Sequence, residues 1–413
     1  MSKQYTYTKL KNGFRIISAQ NPNSEIITLL LSVRAGSIHE NKDEIGYAHL
    51  LEHMLLRGTK KRPSSFEISY VIDKLGGRIN AFTNADTINL FIQVPKTYLE
   101  TAIELLADIV RNPLLDTNVL NNEKKVIIQE IEKHKDTHYM YLWRTTFRNI
   151  FLNSRFSHHP LGNSKSVLSA TSKKLKKYHN KFFAPSNSAL VIIGNIDKEK
   201  LKKALKTHFE TWRGKTHRFN EMSGKKYIDS KKILFRKVPS KQYNISISIP
   251  VFDFNLKEDV ALDMLSTYLG YGHTSILYQE LRHKSGLIYT ANANNYLFSG
   301  GNVLFISTST TKPKETIKRI KDKLKNITNL IDEKTFEEIK KQEKNLSLVR
   351  NQDPIAEARS LQNYWSVKNK MITPKKICET IDDLKYKEFI KLLSKIENSA
   401  VYTSILGKDR IDF

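Results

Sequence analysis

A single cysteine, Cys378, occurs in 413 residues. The chain therefore cannot close an internal disulfide, and a cysteine-ligated metal site is excluded with it. Long apolar runs are missing too. The stretch Ile26 to Val33 stops at Arg34, well short of the roughly 18 residues a membrane helix needs. The opening residues, Met1-Ser-Lys-Gln-Tyr-Thr-Tyr, form neither a charged-then-apolar leader nor an Arg-rich transit segment. A cytoplasmic protein with no membrane contact is expected. Acids are scarce beside bases, 42 Asp and Glu against 68 Lys and Arg, for a net charge of +26. Such a field favours anionic partners. Yet the Lys-rich stretches 173–177 and 312–325 have no interleaved aromatics on which bases would stack. They read as solvated helix faces, and nucleic acid is not an expected partner.

With 39% hydrophobic residues, the chain is long enough for two domains of about 200 residues, each with its own core. Tyr5 to Val33 has strand character, with Asn12-Gly13 as a hairpin signal. Helices are predicted from about Gly46 to Leu56 and from Pro63-Ser64-Ser65 to Gly76-Gly77. Strands at 78–83 and 87–94 follow, then helices at 96–110 and from Thr117 to about His134. A strand at 188–195 and a helix at 198–212 complete this half. The polar stretch 214–232 is the linker candidate. After it the order recurs, with strands at 233–250, helices near 259–269 and 275–282, and strands at 287–293 and 302–308. A Lys-rich helix from about Lys314 and a last strand at 400–406 close the series. The expected fold class is α+β: two duplicated domains, 1–213 and 233–413, each a largely antiparallel sheet packed on helices.

The sharpest chemical signal is His49-Leu-Leu-Glu52-His53. On a helix these three polar residues share one face. Two imidazoles one turn apart can bind one zinc ion, and the acid beside them is placed to take a proton from zinc-bound water. Chance supplies about 0.04 such matches in a chain of this composition. A hydrolytic zinc needs a third ligand and an open position. The helix from Thr117 offers it, because Glu123, Ile127 and Glu130 lie on one face. Two carboxylates so placed suggest one ligand and one partner behind the ligands.

With these blocks the chain resembles the insulinase and pitrilysin family of inverted zinc metallopeptidases, which includes the mitochondrial processing peptidase. Members carry His-x-x-Glu-His and a distal Glu about 75 residues on; here Glu130 follows His53 by 77 positions. The resemblance implies zinc, one per chain, held by His49, His53 and Glu130, with Glu52 as the base and Glu123 as a supporting acid. It extends to Gly76-Gly77-Arg-Ile-Asn80-Ala81-Phe82-Thr83, in the family an edge strand along which an extended peptide pairs. His159-Pro160-Leu161-Gly162 is similar to the family's loop after the zinc helices. Leu281-Arg282-His-Lys-Ser-Gly286-Leu-Ile-Tyr289 is similar to a block whose Arg and Tyr reach the substrate carbonyl, so Arg282 and Tyr289 are expected to steady an oxyanion. Asn89 stands where the family commonly has an aromatic, and is expected to alter the subsite next to the edge strand. The implied activity is zinc-dependent endopeptidase cleavage of short or unfolded peptides in an enclosed chamber. Two chains, as a homodimer or with a related chain, would form that chamber, each being half of a clamshell. The other class within the family is a non-catalytic peptide-binding or scaffold subunit, in which one or more ligands are typically lost.

Overall fold

A computed structural model describes residues 3–152, 154–214, 223–229 and 231–411. Nine of the 19 residues of the expected linker, 215–222 and 230, lie outside the described residues. In chain order the elements begin β1 Gln4–Lys9, β2 Arg15–Gln20, β3 Ile26–Val33, α1 Tyr47–Leu55, α2 Ser65–Asp73, β4 Arg78–Thr83 and β5 Ile88–Pro95. Then come α3 Leu99–Arg111, α4 Thr117–Asp136, α5 His138–Ile150, α6 Ser164–Ser169, α7 Ser172–Phe182, β6 Ser188–Gly194 and α8 Lys198–His208. The remainder is β7 Ile233–Lys237, β8 Tyr243–Val251, α9 Leu256–Gly270, β9 Ile288–Phe298, β10 Gly301–Thr310, α10 Pro313–Lys325, α11 Glu333–Arg350, α12 Pro354–Lys368, α13 Pro374–Asp383, α14 Tyr386–Glu397 and β11 Tyr402–Gly407.

Two compact units result, each an antiparallel-rich sheet with helices. One comprises Met1–Lys133, His158–Glu221 and Asn351–Thr373; the other comprises His134–Ser157, Met222–Arg350 and Pro374–Phe413. The contiguous division read from the sequence, 1–213 and 233–413, therefore differs at two segments, His134–Ser157 and Asn351–Thr373, each carrying a helix that packs on the sheet of the unit to which it belongs.

In the first unit the sheet order is β1-β2-β6-β3-β5-β4. Its main core joins Leu29, Leu31, Leu90 and Ile92 of the sheet to Leu50, Leu51 and Met54 of α1 and to Ile103 and Leu106 of α3. The opposite face is apolar as well. Ile17, Leu30, Phe91, Val191 and Ile193 pack there against Ala358, Leu361 and Trp365 of α12. Burial on both faces is why β3, Ile-Ile-Thr-Leu-Leu-Leu-Ser-Val, is mostly apolar rather than alternating, with Thr28 and Ser32 buried as well. Arg34, at the end of β3, fixes the last turn of α12. Its Nη2 donates to the Trp365 carbonyl at 2.5 Å and its Nε to that of Ser366 at 3.0 Å. Burial, with Arg15 nearby, lowers this guanidinium to about 10, so it stays charged at neutral pH and suits the negative end of a helix.

The second unit has the order β7-β11-β8-β10-β9. Substituting β2, β6, β3, β5 and β4 in turn reproduces the first unit's order, which is the duplication expected from the sequence. Ile245, Ile247, Leu304 and Ile306 face α9 and α10. The other face is covered by α5, where Thr146 and Ser246 share a hydrogen bond and Asn149 Nδ2 donates to the Thr403 carbonyl at 3.2 Å. Trp143 and Phe147 add edge contacts to Tyr296. The helix expected at 275–282 continues as a π-helical turn over Tyr278–His283. Among the described residues no helix is long and apolar enough to cross a membrane.

Candidate metal centre

The start of α1 is held by backbone packing and by a buried acid. Gly46, its N-cap, has φ +100° and Gly162 has φ +70°, left-handed values that favour glycine. A Cβ on Gly162 would overlap Gly46 Cα, so the two loops approach this closely only because both residues are glycine. Buried Glu40 accepts from the amides of Gly46 at 2.9 Å and Ala48 at 2.8 Å, satisfying donors that open a helix. Burial drives its carboxyl well up, while those amides pull the other way.

On α1 the ligand atoms of His49, Glu52 and His53 all lie within 4.8 Å of one another. Helix α4 brings Glu123 and Glu130 to them, two turns apart on one face. The Nε2 atoms of His49 and His53 each stand 3.7 Å from Glu130 Oε2. His53 Nδ1 is 3.0 Å from Glu123 Oε2. A carboxylate accepts, so the Nδ1 carries the proton, and this tautomer leaves a bare lone pair on His53 Nε2. That lone pair faces the Glu130 carboxylate, a second bare acceptor, across a gap too wide for a hydrogen bond. Acceptors converging in this way repel each other unless a cation lies among them. Ligand atoms about 2.0–2.1 Å from a tetrahedral zinc stand roughly 3.3 Å apart, close to the spacing found. Two imidazole nitrogens and one carboxylate oxygen thus fit a zinc ion with a fourth position open. Burial, then His53, lowers the His49 imidazole to about 3, keeping it neutral as a ligand must be.

Glu52 is buried, and Thr83 Oγ1 donates to its Oε2 at 2.7 Å. Burial raises the Glu52 carboxyl against the Thr83 hydrogen bond and His53, and Glu130 adds to the rise. Glu123 sits behind His53 and is clamped there by Arg57. Arg57 Nε lies 2.8 Å from Oε1 as an ion pair, without the alignment of a hydrogen bond, and Nη2 donates to Oε2 at 3.3 Å. Glu123, expected among the catalytic residues, thus contacts His53 Nδ1 and Arg57, on the side of the imidazole away from Glu130.

Asn80, Ala81, Phe82 and Thr83 lie on β4, the outer strand of its sheet, bonded to β5 on one side alone. Side chains alternate along it: Ala81 packs toward α1 and Thr83 reaches Glu52, whereas Phe82 packs on the face covered by α12. Asn89 is wholly buried on β5, where its Nδ2 donates to the Phe82 carbonyl at 3.2 Å and its Oδ1 accepts from Ser32 Oγ at 2.6 Å. It does not line the free edge itself. Its link to the edge strand is that hydrogen bond to the Phe82 backbone. Arg282 and Tyr289 belong to the second unit, where the guanidinium carbon stands 5.1 Å from the Tyr289 ring centroid and Tyr289 is 70% exposed. Sequence reasoning missed Arg57 and the Thr83–Glu52 bond. Arg57 follows His53 by one helical turn, a signal that was present; nothing local in the sequence links Thr83 to Glu52.

Among the described residues no other group of three or more His, Cys, Asp or Glu side chains converges in this way. Two family models match the chain, insulinase (peptidase family M16) over residues 15–163 and the peptidase M16 inactive domain over residues 169–343. An uncharacterized zinc protease of Rickettsia felis is 25% identical over 410 residues, covering 98% of each chain. The zinc protease PqqE of Helicobacter pylori is 27% identical over 314 residues, 72% of this chain and 68% of that one. The crystal structure of a protease from Helicobacter pylori shares the fold, with a TM-score of 0.87 at 22% identity over 98% of this chain and all of that one. A two-unit chain matched in order by both models, with the inverted motif inside the first, belongs to the insulinase family, peptidase family M16.

Proposed function

We propose that the chain is a zinc-dependent endopeptidase that cleaves short or unfolded peptides. The observation that carries this reading is the convergence of the His49 and His53 imidazole nitrogens on the Glu130 carboxylate, with Glu52 buried beside them. When bound, zinc supplies Lewis acidity to the scissile carbonyl and to the attacking water. Glu52 takes the proton from the attacking water and returns it to the leaving amine. Thr83 anchors one Glu52 oxygen, so the carboxylate keeps its orientation between these transfers. The free edge of β4 receives the peptide as an added strand, which supports affinity for extended segments of varied sequence. Arg282 and Tyr289 are assigned the oxyanion contacts on the strength of the family resemblance alone. Closure of a chamber by a second copy or a related chain belongs to the same reading.

Cleavage of a quenched, unstructured peptide by the zinc-loaded chain is expected to stop on chelation and to return when zinc is restored. Zinc bound at about one per chain without cleavage of any peptide would move the assignment to a non-catalytic, peptide-binding member. Glu123→Gln keeps the shape but weakens the charge that holds His53. Its zinc affinity should fall about 10–100-fold, the range found when an outer partner of a metal ligand is lost, and competition with a chromogenic chelator measures it.

A further inference from the structure

An added strand on β4 presents its side chains alternately to the two faces of the sheet. One face holds Glu52 and the candidate ligands. The other is built by Phe82 together with α12, and Arg359 of that helix stands over the Phe82 ring, its guanidinium carbon 4.3 Å from the centroid. Arg359 is exposed, and no carboxylate pairs with it among the described residues. Arg78, two strand steps of the same parity away from Phe82, is also exposed; its Nε donates to Gln93. Stacking on an aromatic ring fixes a planar guanidinium while leaving its donor edge free. An unpaired cation fixed beside a peptide-binding edge is a selector of charge.

We propose that Arg359 is a specificity-determining residue that selects substrates with an acidic side chain on the face of the strand opposite the metal. That side chain would lie roughly one or two residues from the cleaved bond, because neighbouring residues of a strand point to opposite faces. The proposal rests on the peptidase reading only for the position of the bond. The preference itself is a property of binding.

The test uses the full-length, zinc-loaded Glu52→Gln chain, which binds without turnover. Three fluorescent peptides differ solely in a central pair of Glu, Gln or Lys residues, a pair that reaches both faces whatever the register. The Glu peptide should bind about two- to fivefold more tightly than the Lys peptide, the scale of an exposed ion pair. Arg359→Met, which retains packing on Phe82, should abolish the difference. Arg359→Glu should reverse it, and Arg359→Lys should restore part of it. Lys174→Glu on α7 makes the same change in net charge on an exposed helix and separates the local contact from the overall field. An unchanged preference in Arg359→Glu, or an equal loss in Lys174→Glu, would overturn the proposal. Absence of cleavage by the unsubstituted chain would instead overturn the peptidase reading, with the binding series still deciding the role of Arg359.

Discussion

Replacing Glu52 by Gln is expected to lower peptide cleavage by about 10²–10⁴-fold, the usual contribution of a positioned general base, while zinc stays bound. The substitution is nearly isosteric. The Gln carbonyl oxygen can still accept from Thr83 Oγ1, which bonds Glu52 Oε2 at 2.7 Å, so the side chain has reason to keep its place. What is lost is the capacity to hold a proton. Metal content and cleavage must be read together. Activity within about tenfold of the parent would remove Glu52 from the role of base. Loss of zinc would instead make it a ligand, an alternative that the clustering of His49, Glu52 and His53 leaves open on distance alone. The Thr83 bond argues for the base, because it commits one Glu52 oxygen away from the imidazoles.

Glu130→Ala is expected to have the opposite signature, with zinc and activity lost together. One of three protein ligands disappears, so affinity should fall beyond the roughly 100-fold that marks loss of an outer partner. The metal-free protein should not suffer, since Glu130 Oε2 faces two imidazole nitrogens at 3.7 Å and its removal relieves a clash of acceptors. Thermal unfolding separates the two effects. Zinc should raise the midpoint of the parent chain, as any ligand selective for the native state does, and should leave that of Glu130→Ala unmoved. A zinc-dependent rise in the variant would show that the third ligand lies elsewhere.

The site was largely legible because its parts obey one local rule. His49, Glu52 and His53 are fixed relative to one another by helical geometry, and so are Glu123 and Glu130; a periodic pattern carries that information within a dozen residues. The duplicated strand order was legible for a similar reason, since apolar runs and Gly-bounded turns mark strands locally. Helices α5 and α12 were not seen. Trp143, Phe147 and Thr146 of α5, and Leu361, Gln362 and Trp365 of α12, mix aromatic, polar and apolar residues in a way that acquires meaning only against the sheet each covers. The mostly apolar β3 marked a strand but not the burial of both faces of its sheet. The helix that covers the second face lies more than 300 positions further on, beyond the reach of any local pattern. Arg359 was invisible for the same reason, its neighbour Phe82 being set by tertiary packing rather than by spacing.

The late position of α12 has a consequence for synthesis. The last strand of the first sheet, β6, ends at Gly194, whereas α12 ends at Lys368. At about 5–20 residues per second a ribosome needs some 10–35 s to deliver the cover after the sheet could have formed. Throughout that interval Ile17, Leu30, Phe91 and Val191 form an unshielded apolar surface on a nascent chain, the kind of surface that sticks to other chains. The net charge of +26 bears on that interval as well, because like-charged chains repel one another while the sheet waits for its cover.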